Sequence, residues 1–165
     1  MIRISGPIKS DKALAIYLQD HHAGAQAGLA LAKRAARNQR GTEAGRVLDD
    51  LAAEIEEDET ALRKVRKAVG APPNAVKDVG GKLAERVGRL KLNGQLLGSS
   101  PLSPVIELEG LLSGVKSKQH VWMVLRDATD VDTAGVDPQQ MIERAEDQLD
   151  RLHELWRGFA DAAFP

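Results

Sequence analysis

Apolar residues recur along almost the whole chain in alternating steps of three and four, the spacing of amphipathic helices. The most regular run is Leu48, Leu51, Ile55, Asp58, Leu62, Val65 and Val69, in which Asp58 is the one polar residue. This run predicts a helix from about Thr42 to Val69, closed by Gly70 and barred from continuing by Pro72 and Pro73. A preceding helix is predicted from after Ser10 to about Asn38, with Gly41 as its stop and Leu14, Leu18, His21, Ala25, Gly28 and Ala32 on its seam. A shorter helix, about 74–90, carries Val76, Val79, Leu83, Val87 and Leu90, but its three glycines weaken it.

Two long helices are expected beyond residue 103. The first opens with Ser103 as N-cap and Pro104 at N1, presents Leu108, Leu112, Val115, Gln119 and Trp122, and ends near Ala128. The second opens with Asp137, Pro138, Gln139 and Gln140, a capping box in outline, and presents Ile142, Ala145, Leu149, Leu152, Trp156 and Phe159. No segment alternates with the period of a strand. The pattern therefore predicts an all-α fold, an antiparallel four-helix bundle with one short extra connecting helix. One domain, residues 1–165, divides into a hairpin at 11–69, a crossover at 70–103 and a hairpin at 104–160. Neither hairpin alone covers its own apolar stripe.

Composition narrows the chemistry. The 165 residues are 42% hydrophobic and 28% charged, with a net charge of −1, so no global basic field draws the chain to nucleic acid. Aromatic residues are only 3%, too few for a base-stacking surface. There is no cysteine, which removes disulfides, thiolate catalysis and Cys-type metal sites. No apolar window is long enough for a membrane span, and the N-terminus MIRISGPIKSDK lacks the apolar core of a secretory signal; the expected location is the cytoplasm. Ser99 and Ser100 lack a nucleophile-elbow pattern, and Gly80-Gly81-Lys82 lacks the strand and spacing of a phosphate loop. The acidic run Glu56 to Glu59 points to different sides of a helix rather than around a calcium ion.

Hairpin geometry singles out a polar site. A turn near residue 40 brings His21 level with the stretch from Asp58 to Ala61, within about 3 Å for a two-residue error in the turn. A carboxylate in a core needs a partner, and the expected partner of Asp58 is His21, with His22 turned toward the flank. Glu54 lies one turn before Asp58, and His153 follows Asp150 by three residues. His21, Glu54, Asp58 and His153 therefore form the alternative metal set, with Fe or Mn as the metal that carboxylate and imidazole ligands suit. A turn near residue 132 likewise places Glu146 level with Gln119. Around the middle of the first helix, Gly24 and Gly28 stand four apart among alanines, an expected point of close approach by another helix.

The stretches Leu18-Gln-Asp20-His21-His-Ala-Gly24, Leu51-Ala-Ala-Glu54-Ile-Glu-Glu-Asp58 and Glu109-Gly-Leu-Leu-Ser-Gly-Val-Lys-Ser-Lys118, the last followed by Trp122, resemble a group of uncharacterised bacterial helical proteins of ferritin-like shape. The resemblance spans about residues 13–160. It implies a ferritin-like bundle, and through the wider superfamily it implies iron oxidation or storage. This chain departs from that superfamily at both Glu-x-x-His positions. The expectation is a non-catalytic bundle acting through a protein partner or a second copy, with a structural Asp58–His21 pair and no cofactor. The alternative is a carboxylate/histidine iron or manganese protein.

Overall fold

The computed structural model describes residues 11–71, 100 and 102–164. It contains α1 (Asp11–Asn38), α2 (Glu43–Ala68), α3 (Leu102–Asp127) and α4 (Pro138–Ala163). Among the described residues there is no strand, and no helix is long and apolar enough to cross a membrane. The short helix expected at about 74–90, and most of the expected crossover, lie outside the described residues.

The helix ends follow local chemistry. Thr42 caps α2 by accepting a hydrogen bond from the Gly45 backbone N–H at 3.0 Å. Gly45 itself is obligatory: a Cβ there would stand 2.2 Å from the Gln39 carbonyl oxygen, because the α1–α2 turn folds back onto the first turn of α2. At the other end Gly70, with φ of 72°, takes the left-handed conformation that stops the helix. Asp137 caps α4 through Gln139 N–H at 2.9 Å, and Pro138 occupies N1 as the capping pattern predicts. α3 starts two residues before expectation, with Leu102 rather than Pro104 as its first residue. The Ser100 hydroxyl, rather than Ser103, accepts from the first free N–H at Leu102, and buried Ser103 already lies in the helix.

Four pairs of helices are in contact: α1 with α2, α3 with α4, α1 with α3, and α2 with α4, of which α2 and α4 approach least closely. Partners on neighbouring helices run in opposite numerical order. Along α3 and α4, Glu109 meets Trp156, Lys118 meets Gln148, Gln119 meets Glu146 and Arg126 meets Gln139. Gln119 donates to Glu146 at 3.1 Å, at the level the turn near 132 assigns. Between α1 and α3, Arg34 meets Glu107 at 3.0 Å, and Leu31 packs against Gly110.

The apolar interior has two parts. One gathers Leu48, Leu51, Ile55, Leu108, Leu111 and Leu152; the other gathers Leu18, Leu62, Val65, Trp122, Leu125 and Ile142. Between them, along α2, stands Asp58, and along α3, between Val115 and Val121, stands Lys118. A polar layer thus crosses the bundle at mid-length.

Candidate functional site: the polar layer and its cavity

Asp58 is 2% exposed, and no histidine answers it. Its Oδ2 accepts from the Lys118 ammonium and from Gln148 Nε2 at 3.1 Å, while Arg144 Nη1 stands 3.3 Å from Oδ1. Lys118 comes from α3, which makes no backbone approach to α2, so its four-carbon stem spans the core diagonally. Gln148, fully buried, joins the layer together: its Oε1 accepts from Lys118, and its Nε2 also donates to Glu54 at 3.1 Å. From there the chain of charges runs outward. Arg151 binds Glu54 at 2.5 Å and Asp147 at 2.6 Å, and Arg144 also binds Glu57.

The electrostatics follow from this packing. Burial pushes the Lys118 ammonium below its ordinary range, and the neighbouring Asp58 charge only partly offsets it. For Glu54, burial acts to raise the pKa, but the bonds from Arg151 and Gln148 outweigh it and hold the carboxyl below its usual value. A carboxylate so surrounded by donors is already neutralised. It neither needs nor easily admits a further cation.

The expected Asp58–His21 pair is therefore corrected. The seam of α1 runs through Leu18, His22, Ala25, Leu29, Ala32 and Ala36, which turns His22 inward and His21 aside. His22 is 6% exposed and contacts Glu59 at 2.8 Å. Burial, and then the Arg66 charge, hold it below the usual imidazole range despite Glu59. His21 is half-buried and meets Tyr17 edge-on, ring centroids 4.4 Å apart. Burial lowers its pKa as well.

The metal set does not assemble either. Among the described residues, no three histidine or carboxylate side chains converge as ligands. Glu54 and Asp58 share Gln148 and lie among Lys118, Arg144 and Arg151, whereas His153 is exposed in a surface hollow with Asp150, Glu154 and Arg157.

Gly24 and Gly28 give the third correction. No atom lies within 4 Å of where a Cβ would stand at either residue, so neither marks a close helix approach. The close approach is at Gly110, whose Cβ would meet Leu31 Cδ2 at 3.0 Å. One turn further along, α1 and α3 enclose a cavity of about 120 Å³, with α2 as its floor. Its walls include His21, Gly24 and Gly28 from α1, Asp58 and Leu62 from α2, and Gly114 and Lys118 from α3. Each helical glycine costs roughly 1 kcal/mol against alanine, and at Gly24, Gly28 and Gly114 that cost is returned as empty space.

Sequence reasoning missed Lys118, Gln148, Arg144 and Arg151. The first two carried a signal. Leu111, Val115, Lys118, Trp122 and Leu125 alternate in steps of four and three, as do Met141, Ala145, Gln148 and Leu152. Each helix thus has one polar residue on its seam: His22, Asp58, Lys118 and Gln148. Arg144 and Arg151 flank the seam, and only the gap between α2 and α4 draws them in. Comparison with protein-family models, with curated proteins and with solved structures yields no match to this chain.

Proposed function

We propose that this protein is a non-catalytic, cytoplasmic helical bundle of ferritin-like, antiparallel topology that works through a protein partner or a second copy of itself. The opposite order of partners on α1 and α3, and on α3 and α4, supports that topology. The observation that carries the non-catalytic reading is the closure of Asp58. Its carboxylate is met by an ammonium, an amide and a guanidinium, so it is engaged neither as a base nor as a metal ligand. A buried, mutually answered polar layer of this kind fixes which helix faces which and at what level.

Elemental analysis of untagged protein, with light scattering across a concentration series, tests the reading. Expected are no stoichiometric iron or manganese and a mass that rises with concentration. Stoichiometric metal that disappears in Asp58→Ala overturns the non-catalytic reading in favour of a metal protein. A mass that stays monomeric at every concentration removes the second copy and leaves a different protein as the partner.

A further inference from the structure

The gap between α2 and α4 is bridged for only part of its length. At mid-bundle Gln148, Arg144 and Arg151 reach across to Asp58 and Glu54. Toward the start of α2 the facing residues become short: Ala44 on α2, Gly158 and Ala162 on α4. Such side chains do not span the pair of helices that approach each other least closely, and an open groove of about 580 Å³ remains. About three turns of α4, from Arg151 to Ala162, line it. Its floor is Val47, Leu155 and Phe159, half-buried residues that carry the apolar core out to the surface.

Leu155, Phe159 and Ala162 stand four and then three residues apart, which makes one ridged face of α4 of the kind another helix packs against. Two residues further on, Phe164 is 56% exposed. The edges of the groove are acidic. Glu43 and Glu154 line it, and Asp50 and Asp161 each stand three residues from a lining residue, Val47 and Gly158. All four carboxylates are exposed, and among the described residues none has an ion-pair partner. Arg151, the cation of the lining, is already held by Glu54 and Asp147. Even with exposed Arg46 between Glu43 and Asp50, the free charge along the groove is negative.

We propose that this groove docks a basic amphipathic helix of another protein. Its apolar face lies on Val47, Leu155 and Phe159, and its lysines or arginines meet Glu43, Asp50, Glu154 and Asp161. A helix laid into an apolar groove is a recurring mode of recognition, and opposite charge along the edges selects the partner and speeds its arrival. The described helices already turn their apolar stripes into the bundle, so they leave a second copy no such helix to offer. The inference rests on the reading that the protein works through a partner, and it names the surface and the chemistry of that partner.

The probe is a capped peptide of about 18 residues, alanine and lysine with leucine at alternating steps of three and four, long enough to be helical when bound. A matched peptide carries glutamate in place of lysine. Titration of the full chain, followed by backbone amide resonances, is expected to show saturable shifts centred on Ala44, Val47, Leu155, Gly158 and Ala162. The lysine peptide should bind at least about tenfold more tightly than the glutamate peptide. Asp50→Lys with Glu154→Lys, both at exposed positions, should keep the fold and reverse that order. Gly158→Gln should also remain folded, since a Cβ there meets nothing within 4 Å, and its long side chain should close the groove to both peptides. Equal binding of the two peptides, shifts centred elsewhere, no saturable shift at all, or undiminished binding in Gly158→Gln would each overturn the assignment. A mass that rises with concentration in the wild type but not in Gly158→Gln would overturn it in favour of a second copy. Stoichiometric metal lost in Asp58→Ala sinks the partner reading itself, whereas a failed titration without metal removes only the groove.

Discussion

Asp58 looks onto two unlike regions. Toward α4 the interior is closed by long polar side chains: Gln148, Arg144 and Arg151 bridge a pair of helices that approach each other least closely. Toward α1 the helices come together at Gly110 and Leu31, then part around glycines and leave a hole. The difference lies in what fills the gap. Arginine and glutamine reach across a wide seam and answer charge there, whereas glycine gives up side-chain contact on a narrow one. Such a layer holds its neighbours by paired charges on one side and by ordinary apolar contact on the other.

Removing the shared carboxylate should break the comparison most severely. Asp58→Ala leaves the Lys118 ammonium buried without its counter-charge, and a cost of about 3–5 kcal/mol is expected in urea unfolding. The double replacement Asp58→Leu with Lys118→Met removes both charges and should recover most of that loss. Additive losses in the double variant would show that the two residues act separately.

The open side predicts the opposite sign. Gly24→Ala, Gly28→Ala and Gly114→Ala should each stabilise the protein by up to about 1 kcal/mol, since each added methyl enters space and each helix gains propensity. Gly110→Ala is the internal control. Its Cβ would press on Leu31 Cδ2 at 3.0 Å, so it should gain less than Gly114→Ala on the same helix. Equal gains at 110 and 114 would mean that the two helices do not part as described.

How much of this the sequence disclosed depends on the kind of contact. The steps of three and four gave the four long helices, and the Asp137–Pro138 start of α4, because these are set by residues within one turn of each other; the start of α3, expected at Ser103, was misplaced. The level of Gln119 with Glu146 also came through, because a short connection ties the two helices. The partner of Asp58 did not. Hairpin reasoning looks to the next helix along the chain, while the ammonium that meets Asp58 arrives from the diagonal helix, 60 residues on. Shifting the α1 seam by one residue also exchanged His21 for His22, a rotation of about 100° on a helix. Whether paired glycines mean contact or space depends on how neighbouring helices diverge, and no single helix encodes that.

Acid should separate the two sides into two pH windows. On the open side His21 and His22 have depressed pKa values, mainly through burial, relative to an unfolded value near 6.5. The unfolded chain then binds more protons, so their contribution is complete above about pH 6.5 and is lost as pH falls through the folded values. On the closed side Glu54 is held below 4.5, so its contribution persists to about that pH and fades only beneath it. Unfolding free energy against pH should fall in two stages. The variant His21→Gln with His22→Gln should flatten the upper stage alone, and Glu54→Gln the lower. A single stage, or an upper stage untouched by the histidine variant, would refute the division.

The smallest effect tests where the closed side stops. Arg144 faces two carboxylates, the buried Asp58 and the exposed Glu57, and it is itself about one-third exposed. The outer bond is in contact with water and mobile ions, which screen it and let either side chain find other partners. Glu57→Ala should therefore cost under about 1 kcal/mol, and raising the salt concentration should erase that cost. Lys33 and Glu56, paired at 2.9 Å on the α1–α2 surface, are the matched reference, exposed on both sides. If Glu57→Ala costs no more than Glu56→Ala, the ionic layer ends at Asp58 and Arg144, and Glu57 is surface. A larger, salt-insensitive cost would place Glu57 inside the layer, because only a carboxylate that fixes Arg144 against Asp58 transmits its loss to the buried pair.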